Sequence, residues 1–210
     1  MLEPTPMTGR RARIRDVSRL NAFTDGVVVV SMTLLILNIE LPESIAGLGG
    51  ARLLHALAGL WPRYLAYILS FLVIGQYWLG YTRQFGSMRA ADERFAEINI
   101  LFLLVVGFMP FTTALVSRNG GAIATSVYAA TMIAASLLLI LLWLYAVRQG
   151  LVESREPPGR RWREISRSLE IVAVFAGSIA VAQYDGRLAR WVWLLLAIPI
   201  LPRSRPQAEG

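Results

Sequence analysis

Residues 98–117, INILFLLVVGFMPFTTALVS, contain no charged side chain, and the 29 residues that follow Arg118, 119–147, are also uncharged. A third uncharged run of 19 residues lies between Arg63 and Arg83. The hydrocarbon core of a bilayer is about 30 Å thick, and a helix that rises about 1.5 Å per residue crosses it with roughly 20 residues. The three runs therefore predict three transmembrane helices.

The composition of the whole chain agrees with a membrane protein. Of its 210 residues 55% are hydrophobic and 17% are charged, against about a quarter charged in soluble domains. All 21 basic residues are arginines, and they lie in short segments between apolar runs. Membrane topology explains this placement, so we predict no nucleic-acid partner.

Enzymatic chemistry has little support in the sequence. The chain has no cysteine, which excludes disulfides, thiolate metal sites and cysteine nucleophiles. Its single histidine, His55, has no second histidine with which to bind a metal, and no serine or threonine lies in a nucleophile motif. We predict that the protein is not an enzyme and has no metal site and no cofactor. We also expect His55 to be an exposed loop residue.

Six membrane spans are predicted, of which the last two are weaker. The six segments are 19–41, 61–81, 95–116, 122–147, 169–184 and 188–201. Pro42 is expected to end the first helix, and residues 45–59 are predicted as a Gly-rich loop or half-helix. The last two segments have uncharged runs of only 14 and 12 residues, so a re-entrant or interfacial hairpin is the alternative there.

The arginine distribution predicts the topology. With the N-terminus inside, 16 arginines fall on the cytoplasmic side and 5 outside, which favours an even number of spans with both termini cytoplasmic. Four spans satisfy the same rule. We therefore predict a multi-pass protein of the cell membrane, with a cytoplasmic arm at 1–18, a six-helix transmembrane domain at 19–204 and a cytoplasmic tail at 205–210.

The first helix carries an acidic residue at membrane depth. Only 14 uncharged residues separate Asp25 from Glu40, so the helix must hold Asp25 near or inside the membrane boundary. An ionisable group there marks function or a specific partner. Trp78, Tyr81 and Arg83, at the end of the second span, are the predicted candidates. Alternatively, Asp25 lies in the first helical turn, where a carboxylate suits the helix dipole.

A stripe of small and branched side chains follows Asp25. Gly26, Val30, Thr33, Leu34 and Leu37 share one face of a helix. Such a stripe suits a narrow pore between several copies of the chain. The same stripe could also be an ordinary seam where two helices pack together. Periodicity alone favours the packing seam.

Residues 19–26, RLNAFTDG, resemble the R-x-x-x-F-S-D signature that opens the first helix of the endolysosomal potassium channel family. The likeness covers residues 19 to about 147 and is carried further by 33–37, 60–62, 65–67, 70–75, Trp78 and 110–112. The resemblance implies an all-α homotetramer of six-helix subunits without a P-loop selectivity filter. It also implies a pore lined by the first helix of each subunit.

Specific roles follow from this resemblance. Val30 would form the narrowest apolar ring, Leu34 and Leu37 would form further rings, and Thr33 would add a hydroxyl near the middle one. The signature network, which is structural or gating, would comprise Arg19, Phe23, Thr24, Asp25 and Trp78.

The sequence departs from the family pattern at three places. Thr24 replaces the usual serine and keeps the hydroxyl. Val30 stands where isoleucine is typical, so we expect a wider ring. Tyr81 and Thr82 occupy the place of a frequent histidine pair.

The function that we expect is passive conduction of K⁺ or a similar monovalent cation by a homotetramer in a lipid bilayer. Two rivals remain at this point. One is a proton-coupled secondary transporter that uses Asp25 as its titrating group, and the other is a membrane protein that does not conduct.

Overall fold

The fold is a bundle of long helices, seen in a computed structural model that describes residues 13–14, 17–85, 88–152 and 158–183. The helices are α1 Val17–Leu34, α2 Gly50–Gly59, α3 Trp61–Phe85, α4 Glu93–Asn119, α5 Ala122–Arg148 and α6 Pro158–Ala182. A 3₁₀ turn, Leu35–Asn38, continues α1, and a second one spans Glu43–Ile45. Two short strands, β1 Arg13–Ile14 and β2 Ala91–Asp92, pair antiparallel.

Five stretches of the described chain are long and apolar enough to cross a membrane. They are Val17–Asn38, Trp61–Gln84, Glu93–Asn119, Ala122–Arg148 and Ile165–Ala182. The helices predicted at 61–81, 95–116 and 122–147 are confirmed, and the segment predicted at 169–184 lies almost entirely within α6. The predicted span at 188–201 and the tail at 205–210 lie outside the described residues.

The structure differs from the predictions at three places. The first helix does not continue to Pro42, because its α geometry ends at Leu34 and tightens into a 3₁₀ turn that ends at Asn38. It begins at Val17, two residues before the predicted start, and β1 lies within the predicted arm at 1–18. His55 is exposed, but on a helix rather than in a loop. Helix α2 forms because glycines bound a run of good helix formers, and Gly50 takes a φ of 54° at its start.

Helix α5 lies at the centre of the bundle, packed against α4 and α6, while α1 packs mainly against α4 and α3. Side chains with hydroxyl groups join the helices across this core. The Tyr77 hydroxyl donates to the Met132 carbonyl over 2.7 Å and lies 3.0 Å from the Ser136 hydroxyl. Tyr128 lies 3.0 Å from Ser70. These bonds attach α3, one of the two helices that contact α1, to α5.

The end of the bundle where α1 begins has a second set of polar contacts. Asp92 caps α4 by accepting the backbone N–H of Phe95 over 2.8 Å, and it also accepts the Tyr145 hydroxyl over 2.7 Å. Because β2 contains Asp92 and pairs with β1, the chain just before α1 is attached to the start of α4 and to α5.

Candidate pore helix and its anchors

Helix α1 is packed on one face only. Its buried face, continued into the 3₁₀ turn, consists of Thr24, Val28, Ser31 and Leu35. The other side chains of the segment are half-buried or exposed. A large apolar surface on the first helix is therefore left open by the part of the chain that the structure describes.

The predicted stripe lies on this open surface. Val30, Leu34 and Leu37 are 55%, 43% and 67% exposed, and Gly26 and Thr33 are exposed as well. The Thr33 hydroxyl donates to the Val30 carbonyl of its own helix over 2.8 Å. The stripe is thus not a packing seam within one subunit.

Thr24 anchors the start of α1 to two other helices. Its Oγ1 lies 2.9 Å from the Tyr81 hydroxyl of α3 and accepts the Asn99 amide of α4 over 2.9 Å. All three side chains are buried, and the Phe102 ring stacks on the Tyr81 ring at 6.0 Å. This contact sets the rotation of α1 about its own axis.

Asp25 makes a separate contact on the exposed side of the helix. Of the three predicted candidates, Trp78 is a partner: its Nε1 donates to Oδ1 of Asp25 over 2.9 Å. Tyr81 instead bonds Thr24, the neighbouring residue. The Arg83 guanidinium lies near Gly80 on its own helix.

The remaining two signature residues, Arg19 and Phe23, lie on the exposed side of α1, and Phe23 is 56% exposed. The structure therefore brings Thr24 into the core and places Asp25 against Trp78 at its edge. Phe23 does not join them in the core.

The C-terminal end of the segment is anchored by residues that the sequence analysis did not single out. The Asn38 amide donates to the Pro110 carbonyl of α4 over 2.9 Å. Glu40 forms an ion pair with Arg118, and its backbone carbonyl accepts Arg63. Among the described residues, no side chain from Gly26 to Leu37 hydrogen-bonds another helix, so α1 is held at both ends and open between them.

Asn99 was also missed, although the sequence carries a signal for it. It lies at the start of the uncharged run 98–117, where a lone amide requires a partner because lipid offers none. Its Nδ2 finds that partner in Thr24, while its buried Oδ1 has no hydrogen-bond partner among the described residues.

The helices and their apolar surfaces define a multi-pass helical membrane protein. The model of the family described as endosomal/lysosomal potassium channel TMEM175 matches residues 19–110. A protein of Streptomyces collinus named as a potassium channel is 37% identical over 142 residues, which are 65% of this chain and 68% of the relative. The chain belongs to the TMEM175 family, whose members are ion channels and not enzymes.

Two further comparisons agree with this assignment. The crystal structure of a lysosomal potassium-selective channel TMEM175 homolog from Chamaesiphon minutus aligns with a TM-score of 0.74 at 28% identity, covering 88% of this chain and 95% of that one. The mouse endosomal/lysosomal proton channel TMEM175 is 35% identical over 97 residues, which are 44% of this chain but only 19% of the mouse protein. The family resemblance seen in the sequence is thereby confirmed.

Proposed function

We propose that this chain is the subunit of a homotetrameric channel that conducts K⁺ passively through a central pore lined by four copies of α1. The observation that carries the proposal is the open apolar face of α1, on which Val30, Leu34 and Leu37 are exposed while the opposite face is buried. In a membrane, this exposed apolar face of α1 is covered either by α1 of other subunits or by lipid. The family and the named potassium channels among its relatives support covering by other subunits.

In this proposal apolar rings control the passage of the ion. Val30 forms the narrowest ring, and Leu34 and Leu37 form the next two toward the outer end. Constrictions of this kind conduct or dewet according to their radius, so valine in the first ring favours a wider passage than isoleucine. The Thr33 hydroxyl donates its proton to the Val30 carbonyl, which leaves lone pairs of its oxygen available to a partly dehydrated cation.

The anchors at the start of α1 have a different role. Thr24 bonds Tyr81 and Asn99 inside the subunit, and Asp25 bonds Trp78, so these groups are occupied by protein partners. They hold the orientation of α1 and stabilise the assembled channel, and they do not ligate the ion.

A cysteine experiment tests the pore, and the chain suits it because it contains no cysteine of its own. Val30→Cys and Val29→Cys are matched variants, since the two side chains are 55% and 56% exposed but point about 100° apart on the helix. In planar bilayers under a K⁺ gradient, we expect Ag⁺ to block Val30→Cys and to spare Val29→Cys. Equal block of both variants, or block of neither, would contradict the proposed pore face.

A second candidate is proton conduction, because the matching mouse relative is named a proton channel. It is separated from K⁺ conduction by flux into liposomes. A K⁺ gradient alone should drive K⁺ through the purified protein. Proton flux without K⁺ flux would favour a proton channel. K⁺ flux that depends strictly on a pH gradient and is lost in Asp25→Asn would favour a proton-coupled carrier.

A further inference from the structure

The α1 segment changes its helical geometry within the proposed pore. Leu34 has a ψ of −21°, a 3₁₀ value, and Leu35–Asn38 forms a 3₁₀ turn. Residues three apart are eclipsed in a 3₁₀ helix, whereas in an α-helix they differ by about 60°. The change therefore brings Leu37 into line with Leu34 on one face.

Local sequence does not account for this change. Residues 34–37 read Leu-Leu-Ile-Leu, and neither glycine nor proline lies between Leu34 and Pro42. Leucine is a good α-helix former, and 3₁₀ turns are also frequent at helix ends. A tertiary contact that fixes the end of the segment would favour the tighter turn over a further α-turn.

Asn38, the last residue of the 3₁₀ turn, makes that contact. Its Nδ2 donates to the Pro110 carbonyl over 2.9 Å, and Leu35, three residues earlier, is fully buried. Pro110 lies inside α4 and has no N–H to give to the preceding turn, and a proline at such a position commonly kinks the helix and changes the surroundings of its carbonyls. The buried Leu35 and the bonded Asn38 hold the turn on one side, which leaves Leu37 on the other.

We propose that Asn38 is a positioning residue of the channel, which holds the 3₁₀ turn through Pro110 and so aligns the Leu37 ring with the Leu34 ring. This inference rests on the proposed function and names a residue that sets the outer end of the pore. Asn38 itself does not face the ion. Its loss returns the turn to α geometry and rotates the Leu37 side chain by about 60° relative to Leu34, while Ile36 stays on the far side in both geometries.

Paired cysteines at the outer end measure this rotation. Ile36 and Leu37 are both exposed, at 49% and 67%, and are adjacent in the chain. In the native background, we expect Ag⁺ to block Leu37→Cys severalfold faster than Ile36→Cys. When Asn38→Leu is added, which has a similar shape but no amide, we expect this ratio to fall severalfold. Asn38→Gln keeps an amide donor and should retain more of the ratio than Asn38→Leu does.

Two further variants complete the test. Asn119→Leu is the matched control, because the Asn119 amide donates only to Leu115 of its own helix and should leave the ratio unchanged. If Asn38→Leu does not assemble, Asn38→Ala removes the same amide donor with a smaller side chain. It too should lower the ratio.

The outcomes separate the inference from the function. An unchanged ratio in Asn38→Leu or, where that variant fails to assemble, in Asn38→Ala would overturn the role of Asn38. A native background without preference for Leu37→Cys would also overturn it, while block of Val30→Cys but not Val29→Cys would leave the proposed pore intact. If Val30→Cys is not blocked either, the pore assignment itself fails and the inference fails with it.

Discussion

At the scale of single residues, Thr24 and Asp25 are neighbours with opposite surroundings. The Thr24 hydroxyl has one proton and two lone pairs, and it serves both Tyr81 and Asn99 in the core. Asp25, one residue later, accepts Trp78 at the exposed edge of the helix. The first contact concerns stability, and the second concerns how α1 is held against α3.

Thr24→Val is expected to destabilise the protein. The change keeps the shape of the side chain but leaves Tyr81 and Asn99 buried without their shared partner, which costs about 1–3 kcal/mol. Thermal unfolding in detergent measures the loss. Thr24→Ser should remain close to native, and Thr33→Val should change stability by less than about 0.5 kcal/mol because Thr33 is exposed. A Thr24→Val protein as stable as the native one would contradict the anchor.

Asp25→Asn and Trp78→Phe are expected to weaken tetramer assembly or channel opening more than they change ion preference. Trp78→Phe removes the hydrogen bond and Asp25→Asn weakens it by removing the charge of its acceptor, so their effects should not add fully in the double variant. Tetramer content in detergent and the K⁺/Na⁺ reversal potential measure the two properties separately. A change confined to the reversal potential would place Asp25 in the ion path instead.

At the scale of elements, α3 carries several hydroxyl contacts between helices. Ser70, Tyr77 and Tyr81 are spaced by seven and four residues and so share one face, which reaches α5, α4 and α1. In lipid, where apolar side chains gain little from leaving the solvent, such contacts and close packing hold helices together.

Tyr77→Phe tests this role of α3. It removes the bonds to the Met132 carbonyl and to Ser136, and we expect a loss of about 0.6–1.7 kcal/mol, the range for hydrogen bonds between membrane helices. Unfolding by denaturing detergent gives the difference. Tyr67→Phe is the matched control, because Tyr67 lies two turns or more away and contacts Phe71 through its ring. Equal losses in both variants would show that the Tyr77 bonds contribute nothing specific.

The cap of α4 leads to a further prediction. Asp92→Ala removes the acceptor of the Phe95 N–H and of the Tyr145 hydroxyl, which should destabilise the protein by about 1–2 kcal/mol. Glu93→Ala, at the exposed neighbouring carboxylate, should have a much smaller effect. Thermal unfolding of the two variants shows whether the hydrogen bonds of Asp92 stabilise this end of α4, or only the presence of a negative charge there.

At the scale of the whole molecule, α1 packs against α3 and α4, which in turn pack against α5. It is fixed at Thr24 and Asp25 at one end and at Asn38 and Glu40 at the other. Its middle faces away from the subunit, so one subunit alone does not enclose a path for an ion along α1. The proposed channel thus depends on assembly.

We expect the purified protein to be a tetramer. Native mass spectrometry from detergent should give about four times the 23.3 kDa mass of the chain, and the conducting fraction should coincide with this species. The denatured chain provides the single-subunit reference. K⁺ flux from a fraction that contains only monomers would contradict the proposed pore.

Much of the fold was predictable because long uncharged runs can be placed only within a membrane or a protein core. The helices at 95–116 and 122–147 followed from the absence of charge alone. The geometry of residues 35–38 was not predictable, because it depends on a bond between Asn38 and Pro110, 72 residues apart. The same holds for Asn99, whose partner Thr24 is 75 residues away.

The sequence by itself determined that this is a helical membrane protein of the TMEM175 family, since hydropathy acts locally and the signature at 19–26 is contiguous. Only the tertiary structure decided which face of α1 is buried. A helix presents side chains in every direction, and periodicity allowed the stripe to be either a seam or an open face. The choice was made by Thr24 and Leu35, which are buried, and it left Val30, Leu34 and Leu37 exposed.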